Sequence, residues 1–461
     1  MVTSTVVLHV AMLPWFATGH ITPFVTLSNK LAEKGHKISL FIPAKTQNKF
    51  NHLNLHPHLI QFIPVTVPHV DGLPSGAETM SDISLDKFNF LQHAFDLTQD
   101  EVEVAFRSLK PNFVIYDFAY WIPKIAHPLG IKAIFFSTCG AIPLLSFVPS
   151  MMTPADDHQR LELLPVPEIY PCSSSAKLLP YETKNSGIDA LTEYNGRISI
   201  VMRVFTAMTE SDILCFRCCK EMENPYLNYL QSHYNDKPVL AIGPLLSSDT
   251  STILEERWAN WLGCFEKGSV VYCAFGSECV LEKNQFQELV LGLEKTGFPF
   301  LVRLRPPFGA ETLEEALPEG FQERVRGRGV VHERWVQQKL ILSHPSVGCF
   351  VSHCGFGSVW DSLMSTCQIV LVPQSSDQFI QTKFLTKGLK VAVNVERREE
   401  DGWYTKEDVC KAVKLVMDEG SEVGEEVRAN HIKLRQEFLV EGFESSYIDN
   451  FINKLQDHCH A

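Results

Sequence analysis

The chain has 461 residues, of which 45% are hydrophobic and 21% charged, a composition typical of a globular protein in water. This length exceeds what one hydrophobic core usually serves and predicts two lobes of about 200 residues each. The net charge of -13 at pH 7 would repel a phosphate backbone, so we expect no nucleic-acid partner.

Two further properties bear on the compartment. No run of 18 apolar residues occurs, and Met1 to Leu13 lack a basic segment, so we expect neither stable membrane insertion nor a signal peptide. The 13 cysteines are scattered and contain no CxxC pair. This pattern favours free thiols in a reducing compartment, and we expect the protein in the cytoplasm.

The first elements form a β-α-β unit. Val6 to Leu13 is an apolar run of strand length, and His20 follows it in a turn rich in Pro and Gly. Helical periodicity runs from Pro23 to Lys34, and Lys37 to Ile42 is the next predicted strand.

A second polar residue follows a later strand. Phe113 to Tyr116 is a short predicted strand that ends at Asp117. In a parallel sheet His20 and Asp117 would lie on the same edge, where a carboxylate could orient an imidazole that removes a proton from a hydroxyl. The alternative is that His20 is an ordinary turn residue and that Asp117 caps a helix.

The alternation continues in the second half of the chain. Ser269 to Phe275 is a predicted strand, Gly276-Ser277 a turn, Lys283 to Lys295 a helix and Phe300 to Leu304 a strand. Repeated strand–helix alternation predicts an α/β protein with parallel sheets. The stretch from Gly243 to Arg257 reads as a linker between two lobes.

The segment from Trp335 to Gln378 is the most informative. A strand from Val347 to Ser352 ends at His353, and a glycine turn follows, with a helix expected to open at Ser358 or Val359. Such a turn at a helix N-terminus presents backbone N–H groups and a positive dipole end to an anion. A second strand, Gln368 to Val372, is followed by Asp377-Gln378 at the same predicted sheet edge.

This segment resembles the plant secondary-product signature of family 1, the UDP-dependent glycosyltransferases. The resemblance rests on the Trp-x-x-Gln opening at Trp335, the core His353-Cys354-Gly355 and the closing Asp377-Gln378. It implies the GT-B fold, with two Rossmann-like lobes facing a cleft and a C-terminal helix crossing back to the N-terminal lobe. The expected parts are an acceptor-binding lobe (1–243), a linker (244–257), a UDP-sugar-binding lobe (258–440) and the returning helix (441–461).

The resemblance also implies roles for individual residues. His20 would be the general base and Asp117 the residue that orients it. Trp335 would stack on uracil, although without the family match a core tryptophan is the simpler interpretation. Asp361 would accept from the ribose hydroxyls, and Asp377 and Gln378 would hold the donor sugar. The remaining expected donor contacts, several of them with the diphosphate, are Ser277, Val336, Gln338, His353, Gly355, Phe356, Gly357 and Ser358.

One departure from the family pattern concerns the glycine turn. Phe356-Gly357 stands where many members have Trp-Asn, which removes a phosphate contact from the asparagine side chain. The implied reaction is an inverting transfer that needs no metal and no cofactor, since the UDP-sugar is a co-substrate. We expect the enzyme to act as a monomer.

A subgroup of the family extends a sugar already attached to a flavonoid. The chain resembles this subgroup in the segments 12–20 and 70–74 and in Phe356-Gly357-Ser358. The expected acceptor is therefore the sugar of a flavonoid or anthocyanin 3-O-glycoside, and the transferred sugar glucose, xylose or rhamnose. The predicted acceptor contacts are Thr138 for the first sugar and Phe118, Trp121, Phe135 and Phe147 for the aglycone.

Other interpretations remain open at this point. Transfer could go directly to a flavonoid or terpenoid aglycone. The glycine turn at Gly355 could instead serve a nicotinamide-dependent oxidoreductase, or the chain could bind nucleotide sugars without catalysis. Asp-x-Asp, the P-loop pattern and GxSxG do not occur, which argues against the chemistries that depend on them.

Overall fold

The computed structural model describes residues 6–145, 179, 181–182, 193, 197–234, 236–246, 253–276 and 279–459. The chain divides into two compact units. The first comprises Met1–Pro171, Gly187–Ser248 and Gly442–Ala461, and the second comprises Cys172–Ser186 and Asp249–Glu441. The segment from Pro143 to Ser186 is rich in Pro, Ser and polar residues, which predicts loops and short helices, but most of it lies outside the described residues. Residues 247–252 of the predicted linker also lie outside them.

The first unit is built on a seven-stranded sheet with the order β3-β2-β1-β4-β5-β6-β7, in which all neighbours pair in parallel. Its strands are β1 His9–Leu13, β2 Lys37–Pro43, β3 Ile60–Val65, β4 Phe113–Tyr116, β5 Lys132–Ser137, β6 Ile213–Phe216 and β7 Val239–Ala241.

Helices connect these strands. The described α-helices of the first unit are α1 Thr18–Glu33, α2 Gln47–Phe50, α3 Phe88–Asp96, α4 Gln99–Leu109, α5 Ile122–Ala126, α6 Ile142–Leu145, α7 Ile200–Glu210, α8 Lys220–His233 and, from the chain's end, α18 Phe443–Cys459. Short 3-10 turns are Asn51–Leu53, Met80–Asp82, Leu85–Lys87 and His127–Leu129.

The core of the first unit joins the sheet to α1 and α18. Buried side chains of β1, β2, β4, β5 and β6 form one hydrophobic cluster together with side chains of both helices. From α18 this cluster takes Ile448, Phe451, Ile452 and Leu455, which are at most 5% exposed. Polar contacts add to the packing, since the Tyr447 hydroxyl donates to Glu221 at 2.6 Å. The last helix is therefore an integral part of the first unit's core.

The second unit contains a six-stranded sheet with the order β10-β9-β8-β11-β12-β13, again parallel throughout. Its strands are β8 Val270–Ala274, β9 Phe300–Arg303, β10 Gly329–His332, β11 Val347–Ser352, β12 Gln368–Leu371 and β13 Val393–Asn394. Its α-helices are α9 Glu256–Leu262, α10 Lys283–Thr296, α11 Leu313–Ala316, α12 Phe321–Arg324, α13 Gln338–Leu342, α14 Phe356–Met364, α15 Ser376–Lys383, α16 Lys406–Met417 and α17 Glu422–Phe438, with a π-helical turn at Phe384–Gly388.

Both faces of this second sheet are covered. Along β8, Val271 and Cys273 belong to one hydrophobic cluster, whereas Val270 and Tyr272 belong to another. Successive strand residues point to opposite faces, so a strand buried on both sides reads as a continuous apolar run. This explains why strands such as β8 could be predicted from the apolar runs in the sequence.

The strand register brings polar residues to common edges. In the first sheet Leu13 pairs with Tyr116, so the segments that follow β1 and β4 leave the sheet side by side. In the second sheet Ser352 pairs with both Ala274 and Leu371, which places the segments after β8, β11 and β12 at one edge. Ligands of parallel α/β sheets bind at such carboxyl edges.

Candidate active site

His20 lies in the first turn of α1, not in a turn ahead of it. The predicted start at Pro23 is wrong, because the helix begins at Thr18. Pro23 lacks the N–H that would bond to the Gly19 carbonyl. The preceding turn nevertheless forms, since the N–H groups of His20 and Ile21 both donate to the Ala17 carbonyl, at 3.0 and 2.9 Å.

The His20 imidazole forms a close pair with Asp117. The distance from Nδ1 to Oδ2 is 2.7 Å, and the side chains are 26% and 4% exposed. A carboxylate at Nδ1 fixes the tautomer with the proton on that nitrogen. The lone pair of Nε2 is then the one that can take a proton from a hydroxyl.

The Asp117 carboxylate is itself held by the backbone. Its Oδ1 accepts from the N–H of Trp15 at 2.7 Å and from the N–H of Phe118 at 2.6 Å. Because Oδ1 is bound to the segment after β1 and the segment after β4, Oδ2 is directed at the histidine. The arrangement resembles the base and orienting carboxylate of hydrolase triads in geometry.

The predicted acceptor contacts fall into three groups. Phe118 is half-buried and places its ring edge-on to the His20 ring, at a centroid distance of 5.4 Å. Thr138 Oγ1 lies 3.5 Å from His20 Nδ1. Trp121 and Phe135 are 4% and 2% exposed, so they belong to the core and have little surface for an aglycone. Phe147 lies outside the described residues.

The loop that carries Thr138 is anchored by a buried carboxyl group. Glu223, on α8, is 1% exposed, and its Oε2 accepts from the N–H groups of Ala141 at 2.7 Å and Ile142 at 3.2 Å. Gly140 has a φ of 67°, and a Cβ there would lie 2.7 Å from Glu223 Oε1. Burial raises the pKa of Glu223 to about 7, although the two N–H donors act in the opposite direction.

In the second unit, His353 is a buried neutral histidine at the end of β11. Burial, together with the charge of Arg303, lowers its pKa to about 4. Its Nδ1 accepts from the N–H of Gly276 at 3.3 Å, so the ring proton resides on Nε2. A Cβ at Gly276 or Gly355 would lie 2.8 or 2.4 Å from Nε2, which explains why glycine occupies both positions.

The glycine turn beside His353 opens α14. The expected start at Ser358 or Val359 is wrong, because the helix begins at Phe356 with Gly355 as its N-cap, and no side chain caps it. The first N–H groups of such a helix can bind an anion. A Cβ at Gly357 would have no atom within 4 Å, so the position of the missing asparagine side chain is open space. Ser277, predicted to donate to the same phosphate, lies outside the described residues.

Several predicted nucleoside contacts are brought together. The Trp335 side chain is 69% exposed, which excludes the core alternative. The amide nitrogen of Gln338 donates to Asp361 Oδ2 at 2.8 Å and to Ser358 Oγ at 3.3 Å. Val336 is 3% exposed and packs in a hydrophobic cluster, so only its backbone could contact a donor.

Asp377 and Gln378 lie in the first turn of α15. Gln378 Oε1 accepts from the N–H groups of Gln374 at 2.8 Å and Ser375 at 3.3 Å, as part of a capping box. Ser375 Oγ donates to Asp377 Oδ1. A bond from Gln378 to a donor sugar would therefore come from its Nε2 group, and Asp377 would accept at Oδ2.

Several known proteins are similar to this chain over most of its length. A family model described as UDP-glucoronosyl and UDP-glucosyl transferase matches residues 192–433. Cyanidin 3-O-galactoside 2''-O-xylosyltransferase FGGT1 of Actinidia chinensis var. chinensis is 50% identical over 450 residues, 97% of this chain and 98% of its own. Anthocyanidin 3-O-glucoside 2''-O-glucosyltransferase of Ipomoea nil is 47% identical over 452 residues, with the same two coverages.

The chain belongs to the UDP-glycosyltransferase family. The family and the enzyme class predicted from the signature are thereby confirmed. The crystal structure of Arabidopsis thaliana UGT89C1 is similar to this glycosyltransferase with a TM-score of 0.75 and 22% sequence identity, over 98% of this chain and all of that one. This likeness concerns the fold, and it confirms the prediction of an α/β GT-B protein.

Two arginines that act on site residues of the glycosyltransferase were not predicted from the sequence. Arg303 ends β9, opposite Ala274 in the register, and its charge acts on His353. Arg397 donates to the carbonyl of Pro373 at 2.6 Å and to that of Gly402 at 2.8 Å, which fixes the segment leading to Asp377. Arg303 could have been found as a charged residue at a strand's carboxyl end, whereas no motif marks Arg397.

Two features are absent from the described residues. None of their helices combines the length and the apolar character that crossing a bilayer requires. Among the same residues, no group of three or more His, Cys, Asp or Glu side chains is placed to share a metal ion.

Proposed function

We propose that this UDP-glycosyltransferase transfers a sugar, with inversion, from a UDP-sugar to a hydroxyl on the sugar of a flavonoid or anthocyanin 3-O-glycoside. The observation that carries the catalytic part is the pair of His20 and Asp117 at 2.7 Å. The acceptor class is supported by the relatives from Actinidia and Ipomoea, whose names state transfer to an anthocyanidin 3-O-glycoside.

In the proposed reaction His20 Nε2 removes the proton of the acceptor hydroxyl. The oxygen attacks the anomeric carbon of the donor, the bond from that carbon to the UDP oxygen breaks, and the proton stays on the imidazole. Asp117, held by two N–H groups, stabilises the imidazolium that forms. Attack opposite the leaving group inverts the anomeric centre, so an α-linked donor would give a β-linked product.

The second unit would bind the donor and receive the charge of the leaving UDP. The Nε2–H of His353, the first N–H groups of α14 and the hydroxyls of Ser358 and Ser277 are the proposed donors to the diphosphate. Fixed donors placed where negative charge develops lower the barrier without reorganisation. Since they can take up this charge, we propose that the reaction needs no metal ion.

The nucleoside and the sugar would be held by separate groups. The exposed indole of Trp335 offers a face for uracil, and Asp361, already bonded to Gln338, would accept from the ribose. Asp377 Oδ2 and Gln378 Nε2 would bind hydroxyls of the transferred sugar. Glucose, xylose and rhamnose are the donors to test first. We also propose that the enzyme acts as a monomer in the cytoplasm.

A donor-by-acceptor panel tests the proposal. Purified enzyme is mixed with UDP-glucose, UDP-xylose or UDP-rhamnose and with either cyanidin 3-O-glucoside or cyanidin, and products are identified by mass spectrometry. We expect the glycoside to exceed the aglycone in kcat/KM by about tenfold, which corresponds to about 1.4 kcal/mol of transition-state binding. Faster transfer to cyanidin would contradict the acceptor assignment and retain the enzyme class.

The His20→Ala variant serves as the control in the same panel. It should lose roughly 100- to 10,000-fold in rate if His20 is the base. UDP affinity should stay unchanged, because the proposed UDP contacts are all in the second unit. A variant that retains a tenth of the wild-type rate would refute the catalytic role.

A further inference from the structure

An ion pair between a buried arginine and a partly exposed aspartate lies close to the proposed catalytic histidine in the first unit. The Arg203 side chain, on α7, is completely buried and binds Asp96, the last residue of α3, with both terminal nitrogens. The distances are 2.7 Å from Nη1 to Oδ1 and 2.6 Å from Nη2 to Oδ2. The guanidinium also lies 4.8 Å from the centroid of the Tyr120 ring.

Stability alone is a weak reason for this pair. Burying the Arg203 guanidinium removes its charge from water, and this cost offsets much of its attraction to Asp96, which stays 18% exposed. Within the described part of the chain, Arg203 Nε is buried and has no hydrogen-bond partner, which adds a further penalty. The ion pair of Arg203 and Asp96 therefore needs an explanation other than its contribution to stability.

A third contact of Arg203 leads to the catalytic pair. Its Nη1 also donates to the backbone carbonyl of Phe118 at 3.1 Å. Phe118 in turn touches both members of the pair, since its N–H donates to Asp117 Oδ1 and its ring lies edge-on to His20. Asp96 extends the same network, because Oδ1 also accepts from Trp121 Nε1 at 3.2 Å.

We propose that Arg203 is a positioning residue, which through Phe118 holds Asp117 and His20 in the geometry for proton transfer. This inference rests on the proposed function, since it takes His20 as the general base. Arg203 itself touches no reacting atom. Its effect should appear in the rate of the proton-transfer step and not in the binding of the donor.

The primary variant is Arg203→Lys, which keeps the charge but cannot bond Asp96 through two nitrogens and also reach Phe118. We expect kcat to fall roughly 10- to 100-fold, as for other misplacements of a catalytic group by about 1 Å. The KM for the UDP-sugar should stay within about twofold of wild type. The acidic limb of the plot of kcat/KM against pH reports the base in the free enzyme, and this limb should move along the pH axis.

Among the described residues, two groups with a titratable side chain contact Arg203, and they are Asp96 and Tyr120. Burial raises the pKa of Tyr120, which moves its titration further from neutral pH. His20 itself faces Asp117 and Thr138.

A double-mutant cycle separates positioning from general destabilisation. If Arg203 acts through His20, the Arg203→Lys change should lower the residual rate of the His20→Ala enzyme by less than about twofold. An equal loss in both backgrounds, or a loss in kcat with an unshifted pH profile, would overturn the proposal. Failure of His20→Ala to reduce the wild-type rate would instead reject the proposed base.

Lys237→Met is a matched control. Lys237 is another buried cation of this unit and bonds the carbonyls of Met208 and Ser211, at the far end of the helix that carries Arg203. It should reduce thermal stability and leave the pH profile in place. If Arg203→Lys does not fold, Asp96→Asn replaces it, with a smaller fall in kcat and the same shift expected. An unshifted profile in that variant would also overturn the proposal.

Discussion

The buried carboxyl group of Glu223 predicts an unusual dependence of stability on pH. Its folded pKa of about 7 lies above the ordinary value of 4.5. Between these values the folded chain binds more protons at this site than the unfolded chain. Stability from Glu223 is thus complete below pH 4.5 and is lost as the pH rises through about 7. At about 1.36 kcal/mol per pH unit, the loss amounts to about 3 kcal/mol.

The Glu223→Gln variant removes this loss, because the amide stays neutral and its oxygen can still accept from Ala141 and Ile142. Thermal unfolding of the first unit is compared at pH 5 and pH 8 by calorimetry. At pH 8 the variant should melt roughly 6–12 °C above wild type, given about 2–4 °C per kcal/mol for units of this size. Most of this difference should be absent at pH 5.

The matched control is Glu33→Gln, which alters an exposed glutamate near the end of α1. It should follow the wild-type pH dependence. If Glu223→Gln were no more stable than wild type at pH 8, the two N–H donors would fully compensate for burial. The assignment of a raised pKa would then be wrong.

Four other results are expected from the site. Asp117→Asn should keep UDP affinity but lower turnover, because the amide no longer stabilises the His20 imidazolium; stopped assays over a pH range measure this. Trp335→Ala should weaken UDP binding in calorimetry by about 1–3 kcal/mol if the indole stacks on uracil, and unchanged affinity would reject that role. Gly357→Asn should tighten UDP binding by about 1 kcal/mol, since the side chain has open space and could donate to phosphate. Activity should survive EDTA, whereas a loss restored by magnesium would argue against a metal-free reaction.

The sequence was informative where a polar residue of the site follows a strand in the chain. His20 and Asp117 lie 97 positions apart, yet parallel pairing of β1 and β4 made their proximity predictable. The resemblance to the family signature gave His353 and Gln338 as donor contacts, and these two roles stay predictions. The start of α1 was misplaced because Pro23 reads as a first-turn residue, whereas the turn before it closes through backbone bonds alone.

Side-chain contacts between residues far apart in the chain were not predictable. Arg203 and Asp96 are separated by 107 positions and belong to no periodic pattern, so only the folded chain reveals their bond. Arg397 likewise reaches back 24 positions to a backbone carbonyl, and a carbonyl leaves no mark in a sequence. For Val336 and Trp121 the sequence could not distinguish a core position from a binding surface, because apolar and aromatic residues suit both. Only the structure shows that both side chains are buried.

The place of α18 in the core has a consequence for biosynthesis. Ile448, Phe451, Ile452 and Leu455 belong to a cluster whose other buried members all precede residue 249, so the core of the first unit cannot be completed until these four residues have been synthesised. At 5–20 residues per second, synthesis of the intervening part of about 200 residues takes roughly 10–40 s. During that interval the apolar surfaces of α1 and β7 that α18 contacts are uncovered on the ribosome and available to chaperones. The second unit, whose main segment is continuous, can close its core first although it is translated later.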